Sequence, residues 1–463
     1  MRHTLTFLED QYAALGAHLF GHNQGLERAA YLLCGLSQSE RELRLLVRQV
    51  IPVLDAELLD QARSHLTIPA RSFLPVLKRA EREQAAFVFV HSHPREVPGH
   101  SNQDDREEPG LFRTAYNRIT TLGAAHASLV LSDPVRPCGR IWERDETTKP
   151  IDLIRVIGRR FHFYPREGFA RNIDISFHDR EVRAFGRDIL PMLQGLTVGV
   201  AGAGGTGSAV IEQLIRLGVG RLIVADGKAL DRSNISRVYG SEVDDVGLPK
   251  TALVSRLARH IGLPTKVEAI DHPITYASVL KRFRECDIVF GCTDDYWGRS
   301  ALTLLAIEYA IPVFDLGVKI DSKDGLIRSI TARVTTLMPG LPCLYCRGQI
   351  TAQGVADQAI EELAPEEAGR RRLEGYIPEL PGEEPAVIVF TTACAAMAVG
   401  EMLHRLTGYK GNDYSLGELV MQVDQTVIRK PGAVRTPGCI CAKPELVCRG
   451  DQHRFLDQTW RPE

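Results

Sequence analysis

Apolar and polar positions along the chain predict two successive series of strands and helices. Up to about residue 145, short apolar runs predict buried strands, and the run from Leu26 to Leu36 predicts the passage from a helix to a strand. The segments that predict strands are AAFVFVHSHP (85–94), HASLVLSDP (126–134) and CGRIWERD (138–145). Residues 146–177 interrupt the pattern with charges, Pro165 and Gly168, and predict a linker.

A second series begins at residue 178, where DREVRAFGRDILPML (179–193) spaces its apolar residues as a helix does. A strand, a glycine loop and a helix follow in LTVGVAGAGGTGSAVIEQLIRLGV (196–219), and further strands are predicted in RLIVAD, CDIVFGCTDD and IPVFDLGV. Alternation of this kind predicts a mostly parallel, doubly wound α/β sheet in residues 178–463. Charges, prolines and glycines at 355–384 predict a long crossover connection, and residues 391–408 predict a helix.

The composition excludes several classes of protein. Hydrophobic residues make up 44% and charged residues 25% of the 463 residues, and the net charge is −2. No overall field therefore attracts nucleic acid or anionic lipid, and no apolar run reaches the ~18 residues of a membrane span. Glu9 and Asp10 stand where a signal peptide requires apolar residues, so we expect a cytoplasmic protein. Ten cysteines then indicate metal sites or buried thiols rather than disulfides.

The stretch HSHPREVPGHSNQD (91–104) carries the first candidate site. His91 and His93 are two residues apart in extended chain, so both point to one side, and the following loop allows Asp104 to approach them. Two imidazoles and one carboxylate leave the fourth zinc position open, as in hydrolytic sites. The candidate base is Glu27, and Ser101 is the candidate donor to an oxyanion.

This stretch resembles the JAMM/JAB metallopeptidase family, because HxHP, six residues and SxxD follow one another without a gap. The resemblance covers about residues 1–145 and implies an isopeptidase that cuts after a ubiquitin-like tail. Several alternatives stay open within it. Glu40 and Glu42 are alternative bases, Asp105 is an alternative third ligand, and His100 is interpreted as a loop residue.

The glycine loop marks the second candidate site. Gly202, Gly204, Gly205 and Gly207 lie between a strand and a helix, where small residues let the backbone approach phosphates. Asp226 ends the next predicted strand and is a candidate for binding ribose hydroxyls. These features alone also fit an NAD-dependent dehydrogenase.

The residues after the loop favour an adenylating enzyme. Asn234, Arg237 and Lys250 supply polar and cationic groups, and Asp294 and Arg299 follow a predicted strand. Cations and a magnesium-binding carboxylate stabilise charge on a leaving pyrophosphate, whereas hydride transfer does not need them.

The set resembles the ThiF/MoeB and ubiquitin-activating family from about residue 178 to 445, with a Rossmann-like fold. The resemblance implies that Asp294 binds magnesium and that Arg237, Lys250 and Asn234 bind the phosphates of ATP. It also implies a homodimer in which Arg180 enters the partner's nucleotide site. Asp295 replaces the asparagine that is usual in the family.

The cysteines predict a structural zinc site. Cys343 and Cys346 form CxxC, and Cys439 and Cys441 are the candidates for the other two ligands, with Cys448 as the alternative. No cysteine occurs from Arg347 to Ala393, where thioester-forming activating enzymes usually carry theirs. Cys394 is interpreted mainly as a packing residue. The other cysteines, predicted to be core residues, are Cys34, Cys138, Cys286 and Cys292.

Together the two resemblances imply a fused JAB–ThiF protein, as in bacterial ubiquitin-like operons, some of which serve antiviral defence. One half would hydrolyse an amide at the tail of a ubiquitin-like β-grasp protein, and the other would adenylate that tail with ATP. A conjugating-enzyme-like protein is a further expected partner. The alternative is activation of a sulfur carrier for thiocarboxylate formation. A scaffold without activity and an oxidoreductase are the remaining hypotheses.

Overall fold

Two large β-sheets organise the structure, a computed structural model that describes residues 1–21, 25–94, 99–120, 125–132, 136–166, 176–373, 385–411 and 417–462. Each sheet belongs to one of two units. Unit 1 comprises Met1–Ala170, Glu308–Ala310 and Val447–Arg454, and unit 2 comprises Arg171–Ile307, Ile311–Leu446 and Phe455–Glu463. The α/β prediction is confirmed for both units.

Unit 1 contains a mixed nine-stranded sheet in the order β11-β10-β1-β3-β2-β6-β7-β8-β9, and β4 pairs with β5 separately. Its strands are β1 (Arg2–Leu8), β2 (Ala29–Gln38), β3 (Glu42–Pro52), β4 (Asp60–Gln61), β5 (Leu66–Thr67), β6 (Ala86–His93), β7 (His126–Ser132), β8 (Arg136–Trp142), β9 (Thr148–Pro150), β10 (Leu153–Ile157) and β11 (Phe161–Pro165). Its helices are α1 (Glu9–Phe20), α2 (Ala70–Arg82) and α3 (Asp104–Arg118).

Both faces of the central strands in unit 1 are buried. Leu32 of β2 packs in the same cluster as Leu15 of α1, whereas its neighbour Leu33 packs in the cluster that contains Leu77 of α2 and Phe112 of α3. Alternate residues of a strand point to opposite faces, so helices on both sides explain the uninterrupted apolar runs in the sequence.

The sequence prediction fails at two places in unit 1. β2 begins at Ala29, and the described residues directly before it, 25–28, are not helical. The predicted linker at 146–177 is wrong over residues 148–165, which form β9, β10 and β11, while residues 167–175 lie outside the described residues. Arg155 explains the error: its charge is typical of an exposed segment, yet the side chain is buried and pairs with Glu42 at 2.7 Å.

Unit 2 contains an eight-stranded sheet in the order β14-β13-β12-β15-β16-β17-β18-β19. Its strands are β12 (Thr197–Ala201), β13 (Arg221–Ala225), β14 (Lys266–Ile270), β15 (Ile288–Gly291), β16 (Val313–Lys323), β17 (Leu326–Leu337), β18 (Glu418–Gln422) and β19 (Val427–Arg429). Its helices are α4 (Asp179–Phe185), α5 (Ile189–Gly195), α6 (Gly205–Arg216), α7 (Lys250–Ile261), α8 (Ala277–Phe283), α9 (Tyr296–Glu308), α10 (Ala352–Leu363), α11 (Pro365–Leu373) and α12 (Ile388–Thr407).

The parallel half of this sheet confirms the predicted doubly wound arrangement. β12 pairs in parallel with β13 on one side and with β15 on the other. From β12 the chain adds β13 and β14 in one direction and then crosses back to add β15 on the opposite side of β12. Ligands of open α/β sheets bind at such a reversal, beyond the carboxyl ends of the strands. The glycine loop directly follows β12 and therefore lies at that position.

Three further predictions for unit 2 need correction or qualification. Gly186, with φ of 89°, separates α4 from α5, so residues 179–193 form two helices rather than one. Residues 355–373 of the predicted crossover connection are mostly helical, and residues 374–384 lie outside the described residues. The segment 447–454 belongs to unit 1 and not to the second domain. None of the helices in the described ranges has the length and apolar composition needed to cross a membrane.

Candidate functional site

The three candidate zinc ligands converge in unit 1. His91 and His93 end β6 on the same face as Phe89, and Asp104 is the first residue of α3. The Nε2 atoms of the histidines are 3.1 Å apart, and the Asp104 carboxylate lies 3.2 Å from Nε2 of His91 and 3.6 Å from Nε2 of His93. Residues 95–98 of the intervening loop lie outside the described residues.

This donor set fits a zinc ion. The three donor atoms lie within 4.8 Å of one another, as atoms that share one metal do. Burial tends to raise the pKa of Asp104, but hydrogen bonds from His91 and His93 outweigh it and hold that pKa well below its usual range. A carboxylate and two imidazoles together leave one coordination position of the metal open.

Glu27 lies beside these ligands. It precedes β2, whose Ala29 pairs with His91 of β6, and its side chain is buried. Burial raises the pKa of Glu27, and the charges of His91 and His93 lower it to a smaller extent. A buried carboxyl group with a raised pKa is suited to proton transfer near neutral pH.

Ser101 lies three residues before the first residue of α3. Its N–H donates to Asp104 Oδ2 at 2.5 Å, and its Oγ accepts from the N–H of Asp104 at 3.3 Å. The serine therefore fixes the third candidate ligand as well as lying next to it.

The alternative residues of the sequence analysis lie elsewhere or have other contacts. Glu42 is buried between Arg155 and Arg44; burial would raise its pKa, but the charges of these arginines outweigh it and bring the pKa to about 2. Glu40 is exposed, and Asp105 binds Arg140. These contacts argue against Glu42 as the base and Asp105 as the ligand.

The glycine loop of unit 2 has the shape that the sequence predicts. Gly202 has φ of 97°, and a Cβ there would meet the carbonyl oxygen of Cys292 at 2.7 Å. A Cβ on Gly207 would lie 1.9 Å from the carbonyl oxygen of Gly202. Only glycine fits either position, and Gly204 and Gly205 begin α6 between them. The loop leaves the N–H groups of the first turn of α6 available to an anion.

Charged residues surround this loop. Lys250, the first residue of α7, is buried, and its burial lowers its pKa, while the charges of Asp226 and Asp294 raise it. The side chain of Arg237 lies 3.1 Å from the position of a Cβ on Gly205. Asn234 is almost buried and donates to Ser233 Oγ at 3.2 Å. Lys250, Arg237 and Asp294 are thus brought together at the loop.

Asp226 and Lys228 complete the surroundings of the loop. The Asp226 carboxylate accepts the N–H of Ala203 at 2.7 Å and that of Lys228 at 2.8 Å. The Lys228 ammonium is 3.9 Å from Asp294. Sequence reasoning missed Lys228, although its position two residues after the strand-ending Asp226 was a signal.

Three other predicted residues have distinct surroundings. Arg299 pairs with the buried Asp315 at 3.3 Å, which favours a structural role. Asp295 accepts hydrogen bonds from Thr293 and from the N–H of Gly298 and thereby caps α9. Arg180 lies exposed on α4, and its role in a partner's nucleotide site stays a prediction.

The cluster of cysteines in unit 2 contains Cys439 and Cys441 and not the alternative Cys448. Cys343 lies 3.5 Å from Cys439, and Cys346 lies 3.4 Å from Cys441, measured between sulfurs. Cys448 is instead buried in unit 1, where it influences the pKa of Cys34. Four converging thiols fit a closed tetrahedral zinc site.

Replacing Cys441 by serine is expected to remove one zinc ion per chain and to lower Tm by about 5–10 °C, or roughly 2–3 kcal/mol, since a structural zinc contributes folding energy directly. Zinc content and thermal unfolding measure this. Cys448→Ser is the matched control, because that cysteine is also buried but lies outside the cluster. Equal zinc contents in both variants would contradict the assignment.

Of the four cysteines predicted to be core residues, Cys34 and Cys286 are buried, whereas Cys138 and Cys292 are half-buried. Cys394 lies within α12, its Sγ is 3.4 Å from the carbonyl oxygen of Arg333, and burial raises its pKa to about 12. A thiol in this environment is a poor nucleophile.

Comparison with known protein families identifies a match that lies almost entirely in unit 2. Residues 178–433, more than half of the 463 residues, match the ThiF family. The chain belongs to the ThiF family. The match includes the glycine loop, the surrounding charged residues and the CxxC pair of this ThiF-family chain.

Curated relatives share part of their length with it. The chain is 30% identical over 147 residues to the SAMP-activating enzyme E1 of Haloferax volcanii, covering 32% of this chain and 51% of that protein. It is 31% identical over 150 residues to the sulfur carrier protein ThiS adenylyltransferase of Bacillus subtilis, covering 32% and 42%. It is 27% identical over 146 residues to ubiquitin-like modifier-activating enzyme 5 of Drosophila willistoni, covering 29% and 36%. The ThiF-family chain thus spans about half or less of these three relatives.

Among solved structures, the chain is similar to the microcin C7 biosynthetic enzyme MccB in complex with N-formylated MccA. The identity is 19% and the TM-score 0.46, and the likeness covers 61% of this chain and 78% of that one.

Proposed function

We propose that this protein both processes and activates a ubiquitin-like protein. Unit 2 adenylates the C-terminal glycine of a β-grasp carrier with ATP, and unit 1, a JAB-type domain, hydrolyses an amide bond at the same tail. The observation that carries the activation is the grouping of Lys250, Arg237 and Asp294 around the glycine loop in a ThiF-family chain. The names of the relatives support a ubiquitin-like or sulfur-carrier substrate.

In the activation step, an oxygen of the tail carboxylate attacks the α-phosphorus of ATP. The bond from this phosphorus to the bridging oxygen breaks, and pyrophosphate leaves with the electron pair. Lys250, Arg237 and Asn234 bind the phosphates, and Asp226 binds the ribose. Asp294 would hold a magnesium ion, which would offset negative charge on the phosphate oxygens. In the homodimer that we propose, Arg180 adds a positive charge to the partner's site.

In the hydrolytic step, Glu27 takes a proton from the attacking water and passes it to the leaving amine. His91, His93 and Asp104 would hold the zinc ion, which would supply Lewis-acid chemistry at this site. Ser101 precedes α3, lies next to Asp104 and is the proposed donor to the oxyanion. The product is a free tail carboxylate, which is the group that unit 2 consumes.

The free tail carboxylate, which unit 1 would produce and unit 2 would consume, allows a direct test. We expect His91→Ala to abolish ATP–pyrophosphate exchange with a carrier whose diglycine end is blocked by a fused reporter, since the tail carboxylate is then never released. Exchange with the mature carrier should stay within about twofold of the wild type, because the two sites are separate. The assay follows labelled pyrophosphate in ATP with a panel of diglycine-ending β-grasp proteins. Exchange with the blocked carrier in the variant would contradict the proposal.

The sulfur-carrier alternative is compatible with the cysteine pattern of the chain. Cys394 is buried, and the segment from Arg347 to Ala393 contains no cysteine. An adenylated tail without a suitable thiol on this chain would pass to another acceptor, either a sulfur donor or a conjugating-enzyme-like protein. Mass spectrometry of the carrier after incubation with ATP and each acceptor distinguishes a thiocarboxylate from a conjugate. We associate the antiviral role with ubiquitin-like conjugation and not with the sulfur-carrier alternative.

A further inference from the structure

One arginine binds two carboxylates on the turn that carries Asp104. Arg140 of β8 donates through Nη1 to Asp105 and through Nη2 to Glu108 at 2.7 Å, and its Nε donates to the same oxygen of Glu108 at 3.1 Å. Asp105 and Glu108 follow Asp104 by one and four residues, so the guanidinium fixes the first turn of α3 directly after the third candidate zinc ligand. The face of Trp142, 4.9 Å from the guanidinium carbon, further restricts the arginine.

A second set of hydrogen bonds reaches Asp104 from its other side. Ser128 of β7 donates to Glu108 at 2.6 Å, and Nε2 of His100 lies 3.1 Å from the Ser128 hydroxyl. His100 precedes Ser101, whose N–H donates to Asp104. The contacts therefore lead from Asp104 along the first turn of α3 to Glu108, and from there through Ser128, His100 and Ser101 back to Asp104.

We propose that Arg140 is a positioning residue for the zinc site of unit 1. By holding Asp105 and Glu108, and through Glu108 also Ser128 and His100, it keeps the Asp104 carboxylate within reach of both histidines. The inference rests on the proposed zinc site and extends it from the ligands to the residues that hold them. Glu108 and the guanidinium of Arg140 are 3% and 12% exposed, so this pair exchanges with water less readily than a surface ion pair.

Arg113 provides a matched control on the same helix. It also connects α3 to the turn after β8 by an ion pair, 2.7 Å long, with Glu146. The side chain of Arg113 is 62% exposed, and its partner is remote in sequence from Asp104. Replacing Arg113 removes one positive charge, as replacing Arg140 does, together with its own ion pair to Glu146. The contacts of the turn that carries Asp104 stay intact in that variant.

The test measures metal binding in the full chain. Cobalt(II) bound by the four cysteines absorbs strongly through sulfur-to-metal charge transfer, whereas cobalt(II) on histidine and carboxylate shows only weaker visible bands, so the two sites are followed separately. In Arg140→Gln we expect the Kd of the histidine–carboxylate site to rise about 10–100-fold and its visible bands to change. The cysteine signal should be unchanged, and Arg113→Gln should leave both Kd values within twofold of the wild type.

Unchanged affinity and visible bands in Arg140→Gln would overturn the inference. If that variant does not fold, as judged by Tm and the cysteine signal, Asp105→Asn replaces it. Asp105 is 57% exposed, so the isosteric change carries little folding risk, and a rise in Kd of about threefold or more is expected. An unchanged Kd there overturns the inference as well. The variant His91→Ala distinguishes failure of the inference from failure of the proposed zinc site. If this variant binds cobalt at the histidine–carboxylate site as the wild type does, the zinc site itself is wrong.

Discussion

Asp294→Ala is expected to lower ATP–pyrophosphate exchange about a thousandfold or more, because removal of this carboxylate removes the proposed magnesium ligand. The loss corresponds to roughly 4 kcal/mol of transition-state stabilisation. The Asp294 side chain is 90% exposed and lies 3.9 Å from the Lys228 ammonium. An aspartate with so much exposure contributes little to folding, so lost exchange reports on chemistry rather than on stability.

Asp271 provides the matched control for this experiment. It is an exposed aspartate directly after β14, at the same carboxyl edge of the parallel strands. Asp271→Ala is expected to keep exchange within twofold of the wild type. Both variants are assayed with saturating magnesium and the mature carrier. Exchange within about fivefold of the wild type in Asp294→Ala would contradict the magnesium assignment.

Local patterns predicted the parts of the sites that depend on neighbouring residues. The two-residue period of a strand correctly placed His91 and His93 on one side of β6, and the glycine spacing correctly predicted a close backbone turn before α6. Both patterns result from backbone geometry within a few residues. They could be predicted without knowledge of the remaining chain.

Contacts between distant residues could not be predicted in this way. The buried pair of Arg155 and Glu42 joins positions 113 residues apart, and Arg155 lies in β10, within the segment that the sequence presents as a polar linker. Cys441 completes the cysteine cluster although its spacing from Cys439 departs from CxxC, whereas Cys448 is buried in unit 1. Each outcome depends on which distant segment packs nearby, and local spacing carries no information about that.

The proposed proton transfer at the candidate zinc site depends on such a distant pairing. Glu27 is 64 residues from His91 in sequence, and the antiparallel pairing of β2 with β6 brings the two together. The carboxyl group is buried next to the proposed ligands, while the alternative bases are either exposed, as Glu40 is, or paired with arginines, as Glu42 is. The geometry therefore favours Glu27 among the three.

Glu27→Gln is expected to reduce release of a reporter fused after the diglycine tail by about a thousandfold, since general acid–base catalysis contributes about 10²–10⁴-fold. Glutamine has nearly the same size but cannot accept the proton, so zinc content and exchange with the mature carrier should stay unchanged. Glu40→Gln is the matched control and should cleave at the wild-type rate. Because Glu40 is also an alternative base, the pair of variants decides between them: normal cleavage in Glu27→Gln together with loss in Glu40→Gln would transfer the role to Glu40.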